Sequence, residues 1–258
     1  MMAAYPRLFS LTGKVCVVTG GTRRYGRAIS EALAEAGGTV LVTSRDRQRA
    51  EEVAGELRAR GLEARGYALD QASDESIEAC LAAVCSDHGR IDVLVNCARH
   101  LPRAVDRTEL DLTFSINCTG LILLTRRVAE LMKEAGGGNM INIGSIYGLG
   151  GQYPDIYADP EASLSWDYAL QKGGVIAWTR QLATTLAAHR IRANCLSLGG
   201  LADPPHDEFF LQCYSSRVPT GRMATAEDVK GPIIFLASEA SAYMTGANLV
   251  VDGGWTAW

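Results

Sequence analysis

Short runs of β-branched and apolar residues recur along the chain, separated by longer stretches with apolar positions at helical spacing. Val15 to Val18, Thr39 to Thr43, Ile91 to Val95, Met140 to Ile143 and Ala193 to Leu198 read as buried strands, and Leu249 to Val251 adds a short last one. A further strand is expected to end just before Asp70. The intervening segments carry helical triplets: Ile29, Leu33 and Ala36, then Ile77, Leu81 and Val84, then Val175, Trp178 and Leu182. Strands alternating with helices imply βαβ units, hence a parallel sheet covered on both faces: a Rossmann-type, doubly wound α/β fold. Gly136-Gly137-Gly138 reads as a helix-ending turn rather than a boundary, and residues 1–258 are expected to form a single domain.

Composition narrows the class. Hydrophobic residues make up 47% and charged residues 21% of the 258, as in an ordinary globular protein. A net charge of −4 without a basic run argues against a nucleic-acid surface. Seven cysteines without a Cys-x-x-Cys pair and four scattered histidines suit buried thiols in a reducing compartment and give no metal motif. No apolar run is long enough to span a membrane, and Met1 to Phe9 lacks the pattern of a secretory signal, so a cytoplasmic location is expected.

The segment Thr19-Gly20-Gly21-Thr22-Arg23-Arg24-Tyr25-Gly26 follows the first strand and opens a helix. In that position glycines permit a tight turn, and a helix N-terminus offers free N–H groups to a pyrophosphate. The second strand ends in Thr43-Ser44-Arg45. Sites for NAD place a carboxylate there; Ser44, flanked by Arg45 and Arg23, favours NADP(H) over NAD(H). Tyr168 and Lys172 are four apart, so on a helix they share a face, and a nearby ammonium favours the phenolate. Ser145 closes a strand at the sheet edge where ligands bind in open α/β folds and could polarise a carbonyl. Asn117 falls within an expected helix, where asparagine is mildly unfavourable.

These residues resemble, over nearly the whole chain, the short-chain dehydrogenase/reductase family. Its first turn reads Thr-Gly-x-x-x-Gly-x-Gly; Gly20 and Gly26 match, whereas Arg24 replaces the middle glycine, as in pteridine reductases. The resemblance implies a catalytic tetrad of Asn117, Ser145, Tyr168 and Lys172, with Tyr168 as general acid/base and Asn117 in a proton relay through water to Lys172. It implies cofactor contacts from Gly20, Thr22, Arg23, Arg24, Tyr25, Gly26, Ser44, Arg45, Asp70, Gln71, Asn96, Ala98, Tyr168, Lys172, Gly199 and Leu201. Cys97 and Arg99 depart from the family's Asn-Asn-Ala-Gly, and Leu198 and Asp203 from its nicotinamide loop. A homotetramer or homodimer is implied, through the helices carrying Asn117 and Tyr168 and through the last strand.

Two segments are expected to choose a small-molecule substrate. Twenty-two residues separate Ser145 from Tyr168, more than is usual in the family, and this insertion, about 148–165, is rich in tyrosines and carboxylates suited to a polar substrate. Residues 201–218, with Pro204, Pro205, Phe209, Phe210 and Tyr214, read as a substrate lid or a packed surface helix. Ser145, Tyr147, Tyr153, Tyr168 and Gly200 are the substrate candidates. Gly144-Ser145-Ile146-Tyr147-Gly148, the Val218 to Thr225 segment and the ending Asn248 to Trp258 are similar to oxidoreductases of flagellin glycosylation and legionaminic-type sugar biosynthesis. The resulting expectation is a carbonyl reductase or alcohol dehydrogenase acting on a sugar-like intermediate. A pteridine- or acyl-carrier-type reductase and a non-catalytic NADP-binding sensor are the competing readings.

Overall fold

The computed structural model describes residues 7–102, 104–163, 165–203 and 206–258. Pro204, Pro205 and Leu164, which belong to the two substrate segments, lie outside the described residues. Strands β1 (Val15–Val18), β2 (Thr39–Ser44), β3 (Ala64–Ala68), β4 (Val93–Asn96), β5 (Gly138–Ser145), β6 (Ile191–Leu198) and β7 (Asn248–Val251) pair in the order β3-β2-β1-β4-β5-β6-β7. Every pairing is parallel. The crossovers carry α1 (Arg24–Glu35), α2 (Arg47–Ala59), α3 (Asp74–His88), α4 (Arg107–Phe114), α5 (Leu121–Glu134), α6 (Tyr168–Leu186), α7 (Glu208–Arg217) and α8 (Ala226–Ala237). This is the Rossmann-type single domain expected from the alternation of patterns.

Two apolar layers sandwich the sheet, because strands buried on both faces need a helical cover on each. Val18, Val42, Val95 and Leu198 face α1, α2 and α8 through Ile29, Val53 and Ile233. Val17, Leu41, Leu94 and Met140 face α3, α5 and α6 through Leu81, Leu124 and Ala183. On α6 the buried positions are Ile176, Thr179, Ala183 and Leu186, one step off the expected triplet of Val175, Trp178 and Leu182, which is only half-buried.

Strand order reverses direction between β1 and β4. At such a switch point the loops leaving neighbouring strands part, and a crevice opens at their carboxyl ends. β1 has the expected bounds and β4 starts two residues late, whereas β2, β5, β6 and β7 run longer than the apolar runs suggested. β5 begins at Gly138, paired with Ile191, because ladder bonds need only backbone. Among the described residues no helix is long and apolar enough to cross a membrane.

Candidate active site

The crevice is a cavity of about 1010 Å³. It runs from Ser44 and Arg45 at the end of β2 and Arg49 on α2, past the β1–α1 turn, to Ser145, Tyr168 and Lys172. Its floor is set by Thr19, whose Oγ1 accepts from the backbone N–H groups of Cys97 and Ala98, both at 2.9 Å. That ties the first turn to the end of β4. Gly20 adopts φ +63°, and a Cβ there would lie 2.8 Å from Ala98 Cα. At Gly26 a Cβ would lie 2.1 Å from the Gly20 carbonyl oxygen. The turn therefore closes only with glycine at both positions.

Arg24 stands where the family has its middle glycine and adopts φ +49°, the left-handed conformation. A side chain in that conformation costs about 1–2 kcal/mol. The backbone thus keeps the shape of a glycine turn although the residue is arginine. No side chain caps the N-terminus of α1. The uncapped N–H groups and a backbone cradle too close for side chains fit the pyrophosphate of a dinucleotide. Tyr25 fastens the turn from the other side, its hydroxyl donating to the Gly199 carbonyl at 3.1 Å. Burial, seconded by Tyr214, pushes the Tyr25 phenol well above its ordinary value, so it stays a neutral donor.

At the ribose end Asp46, the nearest carboxylate, is committed elsewhere. It caps α2 by accepting from the Arg49 N–H at 3.2 Å, while Ser44 Oγ accepts from the Asp46 N–H at 3.3 Å. Arg23 and Arg45 are exposed on the rim. Asp70 and Gln71 line the cavity, with Asp70 folded onto the Ala72 N–H at 3.0 Å. Buried Gln71 Oε1 has no partner among the described residues. Gly199 and Leu201 line the opposite wall. Asn96 differs from the expectation of a cofactor contact: it is buried beneath the crevice, where its amide donates to Thr125 Oγ1 at 3.0 Å and Asn142 Oδ1 at 2.9 Å. It braces β4 against β5 and α5.

Tyr168 is the first residue of α6, and Lys172 follows one turn later with its Nζ 5.9 Å from the Tyr168 ring centre. Lys172 Nζ donates to the Ile143 carbonyl at 2.7 Å, which anchors it to β5. Ser145 ends β5 and lines the cavity beside Tyr168; its Oγ accepts from the Tyr147 N–H at 3.2 Å. Burial of Tyr168 opposes ionisation, but the charges of Lys172 and Arg99, with the hydrogen bond from Arg99, outweigh it. The phenol falls below its ordinary value near 10.

Asn117 lies in a π-helical segment, Ser115–Gly120, not in the α-helix expected. Such wide turns occur often at functional sites. Its amide exchanges bonds with the His100 backbone, N–H to Oδ1 and Nδ2 to carbonyl, both 2.7 Å, and Nδ2 also reaches Gln171 Oε1 at 2.7 Å. Gln171 in turn donates to Asp167 at 2.6 Å. The Asn117 side chain therefore ties the His100 loop to the start of α6.

The insertion and the lid meet on the same protein chain. Ile156, Tyr157, Phe210, Tyr214 and Trp255 form a cluster over Ile146 and Tyr147. Tyr147 and Tyr157 share a hydroxyl contact of 3.3 Å, Tyr157 lies 5.4 Å from Phe210, and Tyr214 stacks on Trp255 at 4.4 Å. Arg217 pairs with Asp155. The Gly200 N–H donates to Tyr214 Oη at 2.5 Å, so the nicotinamide-side loop is pinned to this aromatic wall. Tyr153, expected to face substrate, instead packs on Trp255 at 5.5 Å with Arg217 over its ring. Phe209 faces solvent on the outer side of α7. Tyr157, Phe210 and Tyr214 line the cavity together with His100 and His206. Phe210, Tyr214 and His206 lie in the segment expected as a substrate lid and Tyr157 in the expected insertion, whereas His100 and Arg99 lie outside both. The departure of Arg99 from the family glycine was the visible signal.

A dinucleotide cradle with a tyrosine and an anchored lysine at its head suits a nicotinamide-dependent oxidoreductase. Comparison with known proteins gives the family. A family model described as enoyl-(acyl carrier protein) reductase matches residues 20–256. The chain belongs to the short-chain dehydrogenase/reductase family. It is 33% identical over 257 residues to the 3-oxoacyl-[acyl-carrier-protein] reductase of Aquifex aeolicus, covering 95% of this chain and 98% of that one. It is 34% identical over 261 residues to the D-threitol dehydrogenase of Mycolicibacterium smegmatis, covering 96% and 95%. Among solved structures, a gluconate 5-dehydrogenase of Burkholderia cenocepacia J2315 in complex with NADP and tartrate superposes with TM-score 0.90 at 28% identity, covering 98% of this chain and 99% of that one. The protein is an oxidoreductase of this family.

Proposed function

We propose that the protein is an NADP(H)-dependent oxidoreductase that interconverts a carbonyl and an alcohol on a polar, sugar-like biosynthetic intermediate, with Tyr168 as general acid/base. The observation that carries this is the closeness of Lys172 to Tyr168, at the head of a cavity lined there by Ser145 and at its far end by Ser44 and Arg45. The nicotinamide, when bound, supplies or accepts the hydride. Ser145 holds the carbonyl oxygen through its hydroxyl, and Tyr168 Oη delivers the proton as charge develops there. Lys172 stabilises the phenolate left behind, and its bond to Ile143 keeps the ammonium at that place. Asn117, through His100 and Gln171, holds the two segments that frame the tetrad.

Ser44 in place of a carboxylate, with Arg23, Arg45 and Arg49 around it, favours a 2′-phosphate. Binding of NADP by the Burkholderia cenocepacia structure and by a Beutenbergia cavernae structure (TM-score 0.85, 33% identity, covering 97% of this chain and 100% of that one) supports the same choice. Tyr147, Tyr157 and His206 on the substrate side, and relatives named for threitol and gluconate, support a polyhydroxylated substrate. The similarity to sugar-biosynthesis oxidoreductases points the same way. A homotetramer or homodimer is proposed on the exposed Ile122 and Leu170 of α5 and α6 and on Val250 of edge strand β7. The unpaired thiols fit a cytoplasmic, reducing setting.

Initial rates with keto-sugars, an acetoacetyl thioester and a dihydropteridine, each with NADPH and NADH, test the reading. Turnover of keto-sugars is expected, with a KM for NADPH about tenfold or more below that for NADH. Preference for the thioester would favour an acyl-carrier-type ketoreductase, as the Aquifex aeolicus relative suggests. Binding of NADPH without turnover of any ketone would favour a sensor.

A further inference from the structure

Two arginines occupy positions where the family has glycine, one in each loop that frames the crevice, and both line the cavity. Arg99, at the end of the loop after β4, donates from Nη1 to Tyr168 Oη at 3.2 Å, and its guanidinium carbon lies 5.6 Å from the centre of that ring. The side chain is exposed and lines the cavity. Only one of its five N–H donors is used by Tyr168, and among the described residues it pairs with no carboxylate. Arg24, held at φ +49° in the glycine turn, is close enough for the two like charges to oppose each other, with Asp203 a partial counterweight. Glu109, the other acid near this end, is engaged by His100 Nε2 at 3.1 Å. With Lys172, two cations lie within 6 Å of the Tyr168 ring centre, Arg99 at 5.6 Å and Lys172 at 5.9 Å.

We propose that Arg99 forms a carboxylate subsite beside Tyr168, so that the substrate is an oxo acid or hydroxy acid carrying its carboxylate one or two carbons from the reacting carbon. This deepens the oxidoreductase reading above and rests on it. A carbonyl oxygen accepting from Tyr168 lies about 2.7 Å from Oη. The atoms next to that carbonyl then fall within reach of the free edge of the Arg99 fork, which matches a planar carboxylate with two parallel bonds. Arg99 is directed at Tyr168 Oη, the atom that meets the substrate carbonyl, so its free edge serves substrate.

The test is calorimetric titration of the NADP-loaded enzyme with 2-keto-D-gluconate and with its methyl ester, which differ only in charge at the carboxyl group. The wild type is expected to bind the acid about tenfold or more tightly than the ester. Arg99→Gly is expected to bind the two alike while its affinity for NADPH stays within about twofold of wild type. Arg99→Gln, which keeps length and removes charge, gives the same loss of preference if the glycine variant does not fold. The acid-to-ester ratio cancels any effect of Arg99 exerted through Tyr168. Equal binding of acid and ester by the wild type, binding of neither, or a preference that survives both substitutions would overturn the subsite. NADPH-dependent turnover of neutral keto-sugars, measured in parallel, shows separately whether the oxidoreductase reading stands.

Discussion

Replacing Tyr168 by phenylalanine is expected to lower turnover about a thousandfold while leaving NADPH affinity nearly unchanged. The ring stays and keeps its edge contact with Tyr147, 6.4 Å between centres, so α6 should start in the same place. What disappears is the atom to which Arg99 donates, beside Ser145 and Lys172. A positioned proton donor contributes roughly 10²–10⁴-fold. With the phenol gone, Arg99 and Ser145 turn to water, and among the described residues no other phenol ring lies under Lys172 Nζ. The nearest alternative, Tyr147, has its pKa pushed far up by burial and by its contact with Tyr157, and it bonds Tyr157 instead. Steady-state oxidation of NADPH, paired with titration of cofactor fluorescence, measures both halves. Turnover within tenfold of wild type would remove Tyr168 from the chemistry.

Gly26→Ala is expected to be the most damaging change in the cofactor cradle. The added methyl would sit 2.1 Å from the Gly20 carbonyl oxygen and 3.0 Å from its carbon, both backbone atoms. Neither can step aside, because Gly20 is itself pressed against Ala98 and Thr19 holds that loop. Overpacking of this kind costs about 3 kcal/mol or more, which for a chain of this size lowers Tm by roughly 6–12 °C. Distortion of the turn should weaken NADPH binding about a hundredfold or more, since 2.7 kcal/mol is worth that factor. Gly150→Ala, where a Cβ meets nothing within 4 Å, serves as the control and should melt with the wild type. A Gly26→Ala protein that melts and binds NADPH normally would refute the close-packed turn.

The parts legible in the sequence were those set by local pattern. β-branched runs revealed the central strands, because a strand buried on both faces must be apolar throughout. β3, Ala-Arg-Gly-Tyr-Ala, sits at the edge with Arg65 outward, so it lacked that run and showed itself only through Asp70 after its end. The Tyr168–Lys172 relation was legible because four residues make one helical turn. Contacts between distant segments were not. Arg99 meets Tyr168 across 69 residues, and Asn117 meets Gln171 across 54, through the packing of the π-helical segment on α6. Tyr153 was misplaced for a related reason: its segment rolls the ring onto Trp255, near the very end of the chain, which sequence proximity gives no means to foresee.

The central claim, that Lys172 tunes Tyr168 into a usable acid/base, is tested most directly by the pH profile of alcohol oxidation with NADP. The phenolate is the active form in that direction, so the rate rises with pH through the Tyr168 pKa. Lys172 and Arg99 favour the charged form, which places the midpoint of the rise below the ordinary phenol value near 10. Lys172→Met removes the ammonium, leaves the desolvation, and should carry the midpoint upward while lowering the plateau. A wild-type profile with its midpoint at or above 10, or a midpoint that Lys172→Met does not move, would contradict the account.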